Sequence, residues 1–183
     1  AASASASGVN LNQVGLSGDF VNSGTISAAA SVDSYSSANA DAHGVILGGG
    51  STSSGSVPTA GLFLNSGSVI VSANATGPTD TASAEATGIQ VISQNFSGSI
   101  VNSGTIYTDV TATSRDDAQV TARGLLIGRN EFDSLENTGA IKVKATADSS
   151  EDADIEAIGI IVERSIIANG FENSGTIEVV AEA

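Results

Sequence analysis

The chain contains no Cys, no Met and no Trp, and only five Phe and two Tyr among its 183 residues. The absence of cysteine excludes a disulfide framework. The scarcity of large side chains means that any core is assembled from small ones. Six Lys and Arg stand against 20 Asp and Glu, a formal net charge of −14. No basic cluster is available to neutralise a run of phosphates, so nucleic acid and anionic membranes are poor partners. No apolar run approaches the roughly 20 residues of a membrane-spanning helix, so no membrane insertion of this segment is expected. Neither an N-terminal Met nor a signal-peptide pattern is present, and we expect a processed chain or a piece of a longer one. The length suits one domain, residues 1–183. Charge is uneven along it: residues 1–100 carry five carboxylates and no Lys or Arg, and everything else ionic lies beyond.

What the chain has in abundance is repetition, which is sought first because it decides the fold. The stretch "FVNSGTIS" beginning at Phe20 returns as "FLNSGSVI", "IVNSGTIY", "LENTGAIK" and "FENSGTIE". Its asparagine falls at Asn22, Asn65, Asn102, Asn137 and Asn173, at intervals of 43, 37, 35 and 36. A second signature, alternating small residues and then Gly with an aliphatic, is centred on Gly8, Gly44, Gly88, Gly124 and Gly159. The distances from Asn to the next Gly are 22, 23, 22 and 22, whereas those from Gly to Asn are 14, 21, 14, 13 and 14. One insertion therefore lies between Gly44 and Asn65, in "GGGSTSSGSVPTAG". Its Gly, Ser and Pro content marks a surface loop over residues 48–61.

Within each unit the side chains alternate with period two, the pattern of a strand with one buried face. After the NSG turn the apolar set runs Ile26, Ala28, Ala30, Val32, and in the next copy Val69, Val71, Ala73, Ala75. The return strand approaches its glycine as Ala38, Ala40, Ala42, then changes parity to Val45 and Leu47. A glycine at such a change of face reads as a bulge or corner tolerating unusual backbone angles. A third short element carries one bulky residue two before each Asn: Phe20, Phe63, Ile100, Leu135 and Phe171. Small side chains thus meet near one turn and large ones fill the opposite end, which describes a wedge.

These readings specify an all-β fold, a parallel β-solenoid (β-helix) of about five rungs. Each rung takes roughly 36 residues in a wedge or triangular cross-section. Rungs about 4.8 Å apart would give a slab about 24 Å tall. The five asparagines would then form a side-chain ladder at a tight or left-handed corner. A split of each unit into two rungs of about 18 residues competes with this reading. Its halves do not superpose, because apolar residues follow the NSG glycine at +2 and +4 but the other glycine at +1 and +3.

Candidate chemistry is sparse. His43 is the only histidine, on the outward parity beside Gly44, so no triad or zinc site can be built around it without partners. We expect no catalytic residues. Stacking at the repeat offset places Asp116 on Glu151 and Asp117 on Asp152, with Asp154 nearby. Like charges one rung apart repel, and a Ca²⁺ ion taking their oxygens would relieve this; a hydrated acidic edge is the alternative. No other cofactor is expected. Lys142 should neighbour Glu178, and Lys144 should neighbour Asp109, as pairs across rungs.

The NSGTI unit, followed by alternating small residues and a Gly-aliphatic strand, resembles the repeats of bacterial autotransporter passenger regions and related β-helical surface adhesins. The resemblance implies an exported protein of the bacterial surface with a structural or adhesive, non-enzymatic role, and a host or matrix glycan or protein as a receptor. It covers nearly the whole chain and speaks for architecture more than for activity.

The chain opens on the return strand (Ala4, Ala6, Gly8, Val9, Leu11) and closes on the strand after the NSG turn (Ile177, Val179, Ala181). It starts and stops at one phase of the repeat, with the first rung expected to lack one side and the last the other. We therefore expect these residues to be self-assembly ends, the partner being a second copy in a head-to-tail homopolymer. A segment of a longer monomeric passenger, or a calcium- or glycan-binding module, are the competing readings.

Overall fold

The computed structural model describes residues 1–11, 18–48, 61–92, 96–128 and 131–183. The loop expected at 48–61 falls almost wholly outside the described residues. No helix occurs among them, and the described residues form 17 strands in parallel sheets.

The first sheet stacks β1 (Ala2–Leu11), β4 (Ala38–Leu47), β7 (Ala82–Val91), β10 (Asp117–Gly128) and β14 (Asp152–Glu163). The second stacks β2 (Phe20–Asn22), β5 (Phe63–Asn65), β8 (Ile100–Asn102), β12 (Leu135–Asn137) and β16 (Phe171–Asn173). The third stacks β3 (Thr25–Asp33), β6 (Ser68–Gly77), β9 (Thr105–Ser114), β13 (Ala140–Asp148) and β17 (Thr176–Glu182). A two-stranded sheet joins β11 (Glu131–Phe132) to β15 (Ile166–Ile167). The chain visits the three large sheets in rotation, so each circuit is one rung and the whole is a parallel β-solenoid.

Register follows the repeat. Ala2 pairs with Ala38, Ala38 with Ala82, Ala82 with Ala118 and Ala118 with Ala153. A rung therefore takes about 36 residues, and the reading of two rungs per unit is overturned. The extra residues between Gly44 and Asn65 leave this register untouched, since Asn22 pairs with Asn65 as Asn65 pairs with Asn102. Each large sheet holds five strands, so no rung lacks a side; the expected half-rungs were an effect of where the unit was taken to begin.

The core is the inward parity of these strands. Ala40, Ala42, Ala82, Ala86, Ala112, Ala118, Ala122 and Ala145 are fully buried. Phe63, Ile100 and Leu135 fill the corner strands, and the Phe20 and Phe63 rings stack at 5.1 Å with planes 3° apart. Alanine is used because facing strands approach closely there, where longer side chains would overpack.

The glycines at the parity change do not serve positive φ, which among the described residues is confined to Gly170 and Arg164. Close approach requires them instead. A Cβ on Gly8, Gly88 or Gly124 would stand within 2.7 Å of the carbonyl oxygen of the glycine one rung on. The NSG glycines are set the same way, since a Cβ on Gly67, Gly104, Gly139 or Gly175 would collide with the oxygen of the glycine one rung back. Of the tight or left-handed corner expected from composition, the left-handed form is absent at the described NSG glycines, which form a stack of closely spaced peptide planes.

Candidate functional site

The repeated asparagine sits at the end of each corner strand, where the chain turns into the third sheet. Asn65, Asn102 and Asn137 are buried, shielded by the rungs on either side. Their amides form one continuous ladder: Asn22 Nδ2 donates to Asn65 Oδ1 at 2.8 Å, Asn65 to Asn102 at 2.7 Å, Asn102 to Asn137 at 2.7 Å and Asn137 to Asn173 at 2.6 Å. All four bonds point the same way. The direction is fixed by the backbone, because the same nitrogens also reach the carbonyls of Ser68 (3.2 Å), Thr105 (3.3 Å) and Ala140 (3.5 Å), which can only accept. At the opposite pole Asn22 Oδ1 accepts from the Gly24 N–H at 3.2 Å.

A second set of bonds runs beside the ladder. The N–H groups of Ser66 and Gly67 donate to the Asn22 carbonyl, and those of Ser103 and Gly104 to Asn65. Thr138 and Gly139 do the same to Asn102, and Ser174 and Gly175 to Asn137. The carbonyls of Asn22, Asn65, Asn102 and Asn137 are therefore each held by two amides of the following rung, beside the side-chain ladder that joins all five asparagines.

The residues expected to form assembly ends occupy the two outer rungs. Ala4, Ala6, Val9 and Leu11 are half-buried and Gly8 is exposed; Ala181 is exposed, and Ile177 and Val179 are 38% and 43% exposed. Phe171 is 51% exposed, although Phe63 in the same column is buried. No known protein family, no curated protein and no solved structure matches the chain. The reading of the outer rungs therefore rests on this chain alone.

The outer faces carry charge that locks rungs together. Arg123 donates to Glu85 Oε1 at 2.6 Å and to Glu156 Oε1 at 2.6 Å, spanning three rungs. Lys142 pairs with Glu178 at 3.5 Å, as the offset implies. Lys144 is the register neighbour of Asp109 but turns the other way, to Glu182 at 3.5 Å. Asp109 accepts instead from the Tyr107 hydroxyl at 3.1 Å. Partial burial first, then this carboxylate, raise the phenol's pKa above its ordinary value.

The acidic turn is dispersed. Asp117 does stack on Asp152, and the Asp152 N–H donates to the Asp116 carbonyl, but Asp152, Asp154 and Glu151 are exposed. Among the described residues no three carboxylate or imidazole side chains converge to hold a cation. His43 Nε2 stands 3.2 Å from Asp41 Oδ1 without hydrogen-bond geometry, and Nδ1 has no partner.

Sequence reasoning missed three structural residues. Phe96 and Phe132 are buried, with Ile167 beside Phe132 in the small sheet. A signal existed: each lies eight residues after its parity glycine (Gly88, Gly124, Gly159), as does Leu16, outside the described residues, after Gly8.

Proposed function

We propose that this chain is a non-enzymatic structural protein of the bacterial surface, a β-solenoid that builds an extracellular fibre or stalk by head-to-tail stacking of rungs. The observation that carries the reading is the pair of outer rungs. The last rung exposes Phe171, Ile177 and Val179 and the first leaves Ala4, Ala6, Val9, Leu11 and Ile26 half-buried, in columns that are buried in the middle of the stack, and each ends three in-register parallel sheets at an edge that no described strand pairs. Such edges are templates for another strand, and a parallel rung of the same sequence pattern is their natural complement.

The surface location and export rest on the resemblance of the NSGTI unit to autotransporter-type repeats. The chemistry of the faces is consistent with a scaffold: ion pairs bridge neighbouring rungs and set register, each contributing about 0 to 1 kcal/mol. Nothing in the arrangement requires a resident cofactor.

Electron microscopy of the purified chain over a range of concentrations tests the proposal, with mass spectrometry of the termini of the native protein. Uniform filaments of the purified chain are expected. Dispersed monomers at every concentration, or a native chain running far past either end, would replace self-stacking with the reading of a longer passenger stalk.

A further inference from the structure

The asparagine corner does more than hold one chain together. We propose that it is the polarity device of a junction between two copies, with the Asn173 corner of one copy recognising the Asn22 corner of the next. This inference rests on the self-stacking reading and names the groups that would make it directional.

The two outer corners are complementary and not alike. The last rung presents the Asn173 carbonyl and the Asn173 side-chain amide. In every inner rung that carbonyl accepts from two N–H groups of the following rung, and three of the amides reach the following rung's carbonyl as well as its Oδ1. The first rung presents the Ser23 and Gly24 N–H groups, the Thr25 carbonyl and Asn22 Oδ1; Gly24 N–H and Asn22 Oδ1 bond each other at 3.2 Å in the single chain and exchange that bond for the two across the junction. Set head to tail at the internal register, Asn173 Nδ2 meets Asn22 Oδ1, and the Asn173 carbonyl meets Ser23 and Gly24 N–H. A ladder of four bonds in one direction becomes an unbroken one. Set tail to tail, the strands of the two copies run antiparallel, so neither the parallel register nor the one-way amide ladder continues across the junction.

The rest of the rung agrees. Extending the observed columns places Ile177 on Ile26, Val179 on Ala28, Ala181 on Ala30 and Phe171 on Phe20 of the next copy. Phe20 already stacks on Phe63, so that column continues. The outward columns place Glu178 on Ser27, Glu182 on Ser31 and Glu156 on Ser5, acid against neutral hydroxyl. A tail-to-tail junction would oppose two rungs each carrying Glu156, Glu172, Glu178 and Glu182, and like charge there is repulsive. Hydrogen bonds, apolar columns and charge therefore select one orientation.

The cysteine-free sequence makes the test clean. Chains with Ser27→Cys are mixed with chains carrying Glu178→Cys and treated with a short bis-maleimide, with Ser72→Cys, on a central strand, as background. Adjacent strands stand about 4.8 Å apart, within the reagent's span. The mixture is expected to give 27–178 links well above background, while each variant alone gives none. The decisive variant is Asn173→Asp, whose carboxylate still accepts from Asn137 but cannot donate to Asn22. It should leave the melting temperature of the dilute chain unchanged and lower the 27–178 yield at least tenfold.

Links of 27 to 27 or 178 to 178 from a filament-forming chain would overturn the polarity and leave the fibre standing. An undiminished 27–178 yield from Asn173→Asp would show that the ladder does not direct the junction. No links above background and no filaments from the unsubstituted chain would defeat the stacking reading and this inference with it.

Discussion

Replacing Asn102 by Ala should destabilise the fold far more than replacing Asn173 by Ala, although both occupy the same column. Asn102 is 2% exposed and takes part in two ladder bonds, accepting from Asn65 and donating to Asn137. Each such bond contributes about 1 kcal/mol net, and an orphaned buried acceptor costs about 1–3 kcal/mol. The Asn65 amide keeps a long bond to the Thr105 carbonyl, so its loss is partly compensated. Asn137 Oδ1 loses the Asn102 donor at a buried site. The sum is about 3 kcal/mol for Asn102→Ala. Asn173 is exposed, and water can replace its single ladder bond, so its substitution should cost under about 1 kcal/mol. Urea denaturation followed by circular dichroism, at a concentration too low for association, reads both, with unchanged slopes required for the comparison. Equal midpoint shifts for the two variants, or a loss below about 1 kcal/mol at Asn102, would refute the claim that the ladder is a buried, cooperative element.

Gly88→Ala should be destabilising by about 1–3 kcal/mol, because its Cβ would meet the Gly124 carbonyl and the Ile106 side chain. Gly24→Ala, with open space around the site, should stay within about 0.5 kcal/mol in the same denaturation assay. Arg123→Met should lose about 1 kcal/mol at low salt, and the difference from the parent should shrink in 1 M NaCl, as expected for a half-exposed ion pair. In a Tyr35→Phe background, absorbance titration should place the Tyr107 phenol above its ordinary value of about 10, and Asp109→Asn should bring it down. Because the folded phenol holds its proton more tightly, its contribution to stability is present below the unfolded value and fades as pH rises through the folded one.

Period and parity were legible because they are carried by one-dimensional facts: a repeated NSG and an alternation of buried and exposed positions. Ala40, Val71 and Ile106 lie inward as alternation requires. What could not be read was three-dimensional proximity. The parity glycines look like conformational switches in a sequence, yet only the neighbouring rung's carbonyl explains them. Lys144 has Asp109 on one side and Glu182 on the other, and side-chain reach decides between them. Thr108 breaks the apolar column between Val71 and Val143, but its buried hydroxyl donates to the Arg123 carbonyl at 3.1 Å, a partner fifteen residues away. The ladder's position was legible. Its direction was not, since an asparagine does not declare which way its amide faces.

The circuit of about 36 residues per rung has a mechanical meaning. A rung adds about 4.8 Å to the height of the stack, but the chain it contains would span about 120 Å if drawn out. Axial tension that frees one rung from its neighbours would not sever the stack, because the backbone runs through every rung. It would release about twenty-five times the lost height as slack, at the cost of two sheet steps in each of three sheets for an inner rung and one for an outer rung. A column of circuits of 35 to 43 residues is therefore a series of similar extensible links, stiff until one yields and then compliant by the length of its circuit.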